Sequence, residues 1–413
     1  MDYKKVKNCR ACGSRKLNKY LDLGKLPLVN GLLDSPKQKF KKYPLQVFYC
    51  ENCSLSQLSI VVDPNILYKN YPYHSSVSRT FLNHCDEMAH TVRQVAGFNF
   101  SIRKEDGVRY LPTHIDVASN DGALMDMFVR DGYRSWGVEP SGNLCDIAKK
   151  KGHAVVNAFW GSLDHECLGR VDVITATNVF AHVDDVVGFI QTAKNHLNND
   201  GVLVIEVPHL KNLIEDTQFD TIYHEHLSYF LLKPLFLLFL DQGLPIFRVE
   251  EHAIHGGSLR IYASRNRHEE SSVEAMLNLE KDLGLYKPIT YKNFSWQVEK
   301  IKHDLMNLLK FLKNNGRKVM GYGASAKGIN LMNYCGVNAS HIMSVVDDTP
   351  QKQGKIIPGC GIQVVSGDHF DTNHPDYIAL LSWNFSKELM DKTESHKLRG
   401  GKYIIPIPEV IIQ

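Results

Sequence analysis

Two short cysteine pairs constrain the fold of this chain more than any other feature. Cys9-Arg-Ala-Cys12 and Cys50-Glu-Asn-Cys53 are C-x-x-C knuckles near the N-terminus, with residues 13 to 49 between them. Each such turn lets two thiolates converge on one ion, and two turns complete a tetrahedral shell of four sulfurs with no open position. A redox pair, the other reading, usually stands alone on a βα unit. A closed shell is structural, so Cys9, Cys12, Cys50 and Cys53 predict a structural zinc ion. It compensates for a small N-terminal segment, about residues 1 to 80, that could not build a sufficient core alone. Cys85, Cys145, Cys167, Cys335 and Cys360 are scattered and read as small buried side chains.

At 413 residues the chain is too long for one core and predicts two or three domains. Charged residues make up 23% and the formal net charge is +3, so composition implies no attraction to nucleic acid or to a membrane. The apolar run from Tyr229 to Leu240 is broken by Lys233 and Pro234 and falls short of the roughly 20 residues that span a bilayer. It reads as a buried helix beginning at Tyr229 and Phe230. The N-terminal MDYKKVKNCRAC has no apolar signal-peptide core, which predicts a cytoplasmic protein with reduced thiols. Oligomeric state is left open.

From Thr113 the chain reads as an apolar strand, a turn ending at Gly122, a helix, and a second strand ending in Glu139, the βαβ pattern of a doubly wound sheet. The turn Ala118-Ser119-Asn120-Asp121-Gly122 has one glycine, too few for a pyrophosphate cradle. Glu139 sits where an acid accepts hydrogen bonds from ribose hydroxyls. A ribose site without a phosphate cradle points to S-adenosylmethionine, against the plainer reading of an ordinary turn with a solvent-facing acid. The strand in VDVITATNVFAHVDD then puts Asn178 and His182 at its C-terminal mouth, where open α/β sheets bind ligands. After the next strand comes TIYHEHLSYF, residues 221 to 230. Asn178, His182 and the Tyr223–His226 cluster are therefore expected on consecutive loops of one edge.

In the last third, Phe294, Val298, Ile301, Leu305, Leu308 and Leu312 recur at helical spacing and predict a long amphipathic helix over 290–314. RKVMGYGASAKGINLM follows, with Gly321, Gly323 and Ala326 on the G-x-G-x-x-G/A template of a second Rossmann-like unit. Its glycines, the helix N-terminus and adjacent Lys327 favour a diphosphate ligand, and NAD fits the same spacing.

Together these stretches resemble a known family. The cysteine pairs, VASNDG, GVEPSGN, ITATNVFAHVDD, TIYHEHLSYF, HGGSLRIY, MGYGASAKG and DDTPQKQGKIIPG are similar, in order along nearly the whole chain, to the sugar C-methyltransferases of deoxysugar biosynthesis. The resemblance implies an α/β protein with a zinc-binding N-terminal domain (1–80), a central Rossmann-like S-adenosylmethionine domain (81–288) and a C-terminal Rossmann-like nucleotide-sugar domain (289–413). It implies cofactor contacts from Ala118, Ser119, Asn120, Asp121, Gly122, Glu139, Pro140, Asn178 and Val179. It makes His226 the catalytic base, with Tyr223, Glu225 and His182 as companions. Tyr71, Tyr73, Ser75, Ser76, His255, Arg260, Tyr322, Ser325 and Lys327 would hold a nucleotide-linked 4-keto-6-deoxy sugar. Two positions depart from the family pattern: Ala118 stands where glycine is usual, and Val77 follows Ser75-Ser76 where a tyrosine is usual, so Tyr71 or Tyr73 is expected to substitute.

The implied chemistry suits these residues. Carbon methylation needs a carbanion equivalent, and a 4-keto group makes the C-3′ proton acidic. Histidine, with an unperturbed pKa of about 6.5, can remove it near neutral pH. A phenol such as Tyr223 can donate to the enolate oxygen, and Glu225 can orient or stabilise an imidazolium. Two other classes compete: an NAD-dependent nucleotide-sugar dehydrogenase or epimerase using the C-terminal turn, and a non-catalytic nucleotide-sugar-binding protein in which the histidines merely pack. A metal site at His224 and His226 is weaker, because H-E-x-x-H is absent.

Overall fold

The structure, a computed structural model, describes residues 2–68, 71, 74–97, 111–162 and 168–413. Three large sheets organise the described residues, beside a two-stranded pairing of Tyr3–Lys5 with Ile60–Val62. The first is antiparallel, in the order Ser228–Tyr229, Ser56–Leu58, Lys42–Cys50, Leu17–Pro27. Its outer strand comes from the middle of the chain, so the cysteine segment is stitched to the TIYHEHLSYF stretch by main-chain hydrogen bonds.

The second sheet has seven strands, in the order Ile246–His252, Ser258–Ala263, Leu197–Pro208, Val171–Thr177, Thr113–Val117, Arg134–Val138, Ala154–Val156. Five run parallel, and Ser258–Ala263 inserts antiparallel to both its neighbours. Val173, Ile174, Val204 and Ile205 are fully buried, as strands covered on both faces require. The strand order reverses its direction of growth at Thr113–Val117 and Val171–Thr177, which opens a crevice at their carboxyl ends. Helix Arg79–Ala96 covers one face; Ser78 caps it by accepting from the Phe81 amide, and Gly97 ends it at φ +69°.

The third sheet is also doubly wound, with a parallel centre in the order Ile362–Val365, Val345–Val346, Val319–Tyr322, Tyr377–Leu380, Lys402–Ile405. The long helix Pro288–Asn314 leads into it. Its buried stripe runs Tyr291, Phe294, Val298, Ile301, Leu305, Leu309, Leu312. Leu309 therefore takes the place expected for Leu308, because over seven turns the stripe drifts with the 3.6-residue period.

The run from Tyr229 differs more. Tyr229 belongs to a strand, and the helix starts at Leu232. Pairing of Ser228–Tyr229 with the first sheet holds that stretch extended, and the buried Glu280 carboxylate then accepts from the Leu232 and Lys233 amides, satisfying the new helix's free donors. Among the described residues no helix is long and apolar enough to cross a membrane.

Candidate active site

The four knuckle sulfurs lie within 4.8 Å of one another, with Cys9 Sγ 3.5 Å from Cys53 Sγ and Cys12 Sγ 3.6 Å from Cys50 Sγ. A tetrahedral zinc with Zn–S of about 2.3 Å separates its sulfurs by about 3.8 Å, so the cluster fits the ion. The knuckles share one turn: the residue after each second cysteine, Gly13 or Ser54, has φ +69° and donates its amide to the first cysteine's carbonyl.

The turn after Thr113–Val117 is conformationally demanding. Ala118 (φ 58°), Asn120 (φ 52°) and Gly122 (φ 83°) all adopt left-handed geometry. A Cβ on Gly122 would approach His153 Cδ2 to 2.6 Å, so glycine is required there. Glu139 is buried, and its two carboxylate oxygens accept from the Asn120 and Ser141 amides at 2.8 and 2.7 Å. Asn178 (φ 57°) stands on the adjoining strand end, its amide on the Glu206 carbonyl at 2.8 Å. Ser119 Oγ, Asp121 Oδ1 and Asn178 Oδ1 are buried without a hydrogen-bond partner. Orphaned polar atoms in a buried crevice are costly unless a ligand satisfies them. Acceptors of this kind fit the amine and hydroxyl groups of a nucleoside carrying an amino acid. Pro140 and Val179 flank the same two loops.

The histidine stretch is held from three sides. The Leu227 amide donates to Ala181 O at 2.7 Å, and the Leu58 amide donates to Leu227 O at 2.9 Å. Asn330 Nδ2, from helix Ala326–Cys335, donates to Asp220 O at 3.1 Å and Ile222 O at 2.7 Å. Within this frame His226 Nδ1–H donates to Thr221 O at 2.8 Å, which leaves Nε2 with its lone pair. Its ring stacks obliquely on Tyr223 at 4.2 Å and meets His182 edge-on at 4.8 Å between centroids. Burial, and next the neighbouring His182, hold its pKa well below the usual 6.5, so the imidazole is neutral.

Glu225 accepts from Asn30 Nδ2 at 2.7 Å and Tyr71 Oη at 3.0 Å, and burial pushes its carboxyl up to about 7. Tyr71 thus reaches the cluster, and Tyr73 lies outside the described residues. Tyr68 Oη sits 3.0 Å from His182 Nδ1. His224 points away, with Nε2 on Tyr43 O at 3.2 Å. Asn30 and Tyr68 are additions that the sequence did not single out; one lies in an irregular loop 195 residues from its partner, and no spacing rule could have found it.

The remaining expected substrate contacts divide. Lys327 is half-buried; its ammonium lies 3.4 Å from His255 O and 5.5 Å from the Trp383 ring centroid, and desolvation lowers its pKa against the field of Asp220. Trp383 Nε1 donates to Asp220 Oδ2 at 2.7 Å, so these groups border the histidine stretch from the C-terminal unit. His255, at φ 57°, joins them. Ser75 and Ser76 instead meet the cofactor turn: the Ser75 amide donates to Asn120 Oδ1 at 3.0 Å and Ser76 Oγ to Asp121 Oδ2 at 2.5 Å.

Three of the expected substrate contacts are engaged within the protein itself. Arg260 is wholly buried, its Nε committed to Glu206 at 2.8 Å, while its Nη1 has no hydrogen-bond partner. Tyr322 packs with Met320 and Phe370 in the core on the strand's other face, its hydroxyl on Asp348. Ser325 Oγ is occupied as a helix cap, accepting from Gly328 N at 3.2 Å. In the glycine turn, a Cβ on Gly323 would come within 2.2 Å of Ser382 Oγ, so part of the space its glycine leaves is filled by this chain itself.

Three family models match in order along the chain: "Putative zinc binding domain" over residues 9–68, "Methyltransferase domain" over 80–248, and "C-methyltransferase C-terminal domain" over 253–408. C-methyltransferase NovU of Streptomyces niveus is 31% identical over 98% of this chain and 96% of its own length. Among solved structures, magnesium protoporphyrin IX methyltransferase from Synechocystis PCC 6803 with bound SAM is 14% identical, covering 45% of this chain and 79% of that one with a TM-score of 0.34. A S-adenosylmethionine-dependent methyltransferase from Clostridium acetobutylicum ATCC 824 is 12% identical, covering 44% and 91%, with a TM-score of 0.36.

Proposed function

The chain belongs to the C-methyltransferase family and is an S-adenosylmethionine-dependent C-methyltransferase; from that premise we propose that it methylates C-3′ of a nucleotide-linked 4-keto-6-deoxy sugar, with His226 as the base. The observation that carries this reading is the tautomer of His226. Its Nδ1–H is fixed on Thr221 O, and the neutral Nε2 is free beside Tyr223. A base must carry an available lone pair, and a neutral His226 held by its Nδ1–H supports this role.

Ala118 to Gly122, Glu139, Pro140, Asn178 and Val179 would hold the cofactor. When bound, it supplies an electrophilic methyl group on a sulfonium, so the reaction calls for no catalytic metal. His226 Nε2 takes the C-3′ proton. The Tyr223 phenol donates to the enolate oxygen, and one such donor in a dry site contributes roughly 2.7–4 kcal/mol. Ionised Glu225 stabilises the resulting imidazolium. Lys327, with His255 and Trp383 beside it, offers a cation and an aromatic face to a nucleoside diphosphate. The zinc site and reduced thiols suit a cytoplasmic enzyme.

The test is mass spectrometry of a panel of 4-keto nucleotide sugars incubated with enzyme and S-adenosylmethionine. One added methylene, located on carbon 3′, is expected. A methyl group found on oxygen, or no product from any 4-keto sugar, overturns the proposal.

A further inference from the structure

A second group of metal-ligand side chains lies outside the active site. His84 and Glu87, one turn apart on helix Arg79–Ala96, face His252 at the end of strand Ile246–His252. One donor atom from each lies within 4.8 Å of the others. His252 Nδ1 is 3.7 Å from Glu87 Oε1, and the two imidazole rings stand edge to face at 5.4 Å.

Each histidine is also oriented by a carboxylate behind it. His84 Nε2 lies 2.7 Å from Glu206 Oε1, a contact that makes Nε2 the protonated nitrogen; Arg260 Nη2, 3.2 Å away, is then only a close neighbour. His252 Nε2 lies 3.3 Å from Glu250 Oε2, which also accepts from Tyr262 Oη at 2.9 Å. Metal-bound histidines characteristically donate their second ring N–H to a carboxylate in this way, which fixes the tautomer and raises ligand basicity. With Nε2 carrying the proton, the lone pair available to an ion is on Nδ1 of each ring, and Glu87, exposed at the surface beside His252 Nδ1, can turn to complete the set.

We propose that His84, Glu87 and His252 bind a divalent transition-metal ion of the zinc class, leaving one position for water. Two imidazoles and a carboxylate are a borderline donor set that suits zinc or cobalt better than magnesium or calcium. The ion would brace helix Arg79–Ala96 against the sheet edge. The segment before this helix carries Ser75 and Ser76, which hold Asn120 and Asp121.

The experiment titrates tag-free protein that already carries its cysteine-bound zinc with further zinc by calorimetry, and with cobalt by absorption. A second saturable equivalent is expected, with cobalt d–d bands but no thiolate charge-transfer band. Glu250→Gln should weaken this binding by about 10–100-fold. Glu87→Ala and His252→Ala should weaken it further while the cysteine-bound zinc remains at one per chain. No saturable second equivalent, or wild-type affinity in Glu87→Ala and His252→Ala, overturns the proposal.

Discussion

Arg10, set between two zinc-ligand cysteines, donates from Nη1 to the carbonyl of Leu227 at 2.9 Å, one residue beyond His226. Its Nε also holds Asp184 at 3.0 Å, two residues beyond His182. One buried guanidinium therefore ties the zinc knuckle to both histidine loops. Arg10→Ala should keep the zinc and the fold yet lower kcat by roughly 10²-fold, the cost of a displacement of about 1 Å in a catalytic group. Zinc content and kcat measured on the same preparation decide it, and an unchanged kcat removes the coupling.

The same connection makes zinc matter beyond its own domain. Stripping it with a strong chelator removes the clamp on Cys9, Cys12, Cys50 and Cys53, and Ser56–Leu58 then loses the support that pairs it with Ser228–Tyr229. Hydrogen exchange should accelerate first in residues 9–62 and next at Leu227 to Tyr229, ahead of the strands around Thr113–Val117. Uniform acceleration through the whole chain would contradict this order.

Glu225 sets the expected pH dependence. Burial raises its carboxyl to about 7, so it gains charge only as pH rises through that value. His226, held well below 6.5, is already neutral there and adds its own limb at lower pH. If ionised Glu225 stabilises the imidazolium, kcat rises through about pH 7, and Glu225→Gln gives a lower, flat profile in that range. An inflection that survives in Glu225→Gln belongs to another group.

Local rules made the knuckles, the turn at Gly122 and the histidine stretch legible, because C-x-x-C spacing, strand-turn-helix punctuation and a polar cluster after an apolar strand are all encoded within a few residues. What they missed depends on distant partners. Asn30 reaches Glu225 only because the first sheet borrows a strand from residues 228–229. Arg260 and Tyr322 stand inside motifs that match by order, yet strand alternation turns one into a buried ion pair and the other to a far face. A motif supplies position along the chain, while the face a side chain takes is set by what packs on each side.

Ala118 gives a stability prediction. Its φ of 58° costs a residue with a Cβ roughly 1–2 kcal/mol, while glycine's extra freedom in the unfolded chain offsets about 0.4–1 kcal/mol of any relief. Ala118→Gly should therefore stabilise the protein by about 0.5–1 kcal/mol in chemical denaturation. Destabilisation would mean that the methyl group's packing outweighs the strain.

His226→Asn bears most directly on the chemistry. Asparagine can keep a donor toward Thr221 O, so the loop and the Ala118 to Gly122 turn should persist and S-adenosylhomocysteine should bind with unchanged affinity. Without the Nε2 lone pair, proton removal from the substrate loses its general base, an effect of about 10²–10⁴-fold. The expected result is that fall in kcat with little change in the apparent KM for the cofactor. Exchange of the substrate's C-3′ proton with deuterated solvent, followed without cofactor, should fall in parallel. A variant that still exchanges at the wild-type rate but fails to transfer methyl would move the base to another residue, and His182, edge-on to His226, is the group to substitute next.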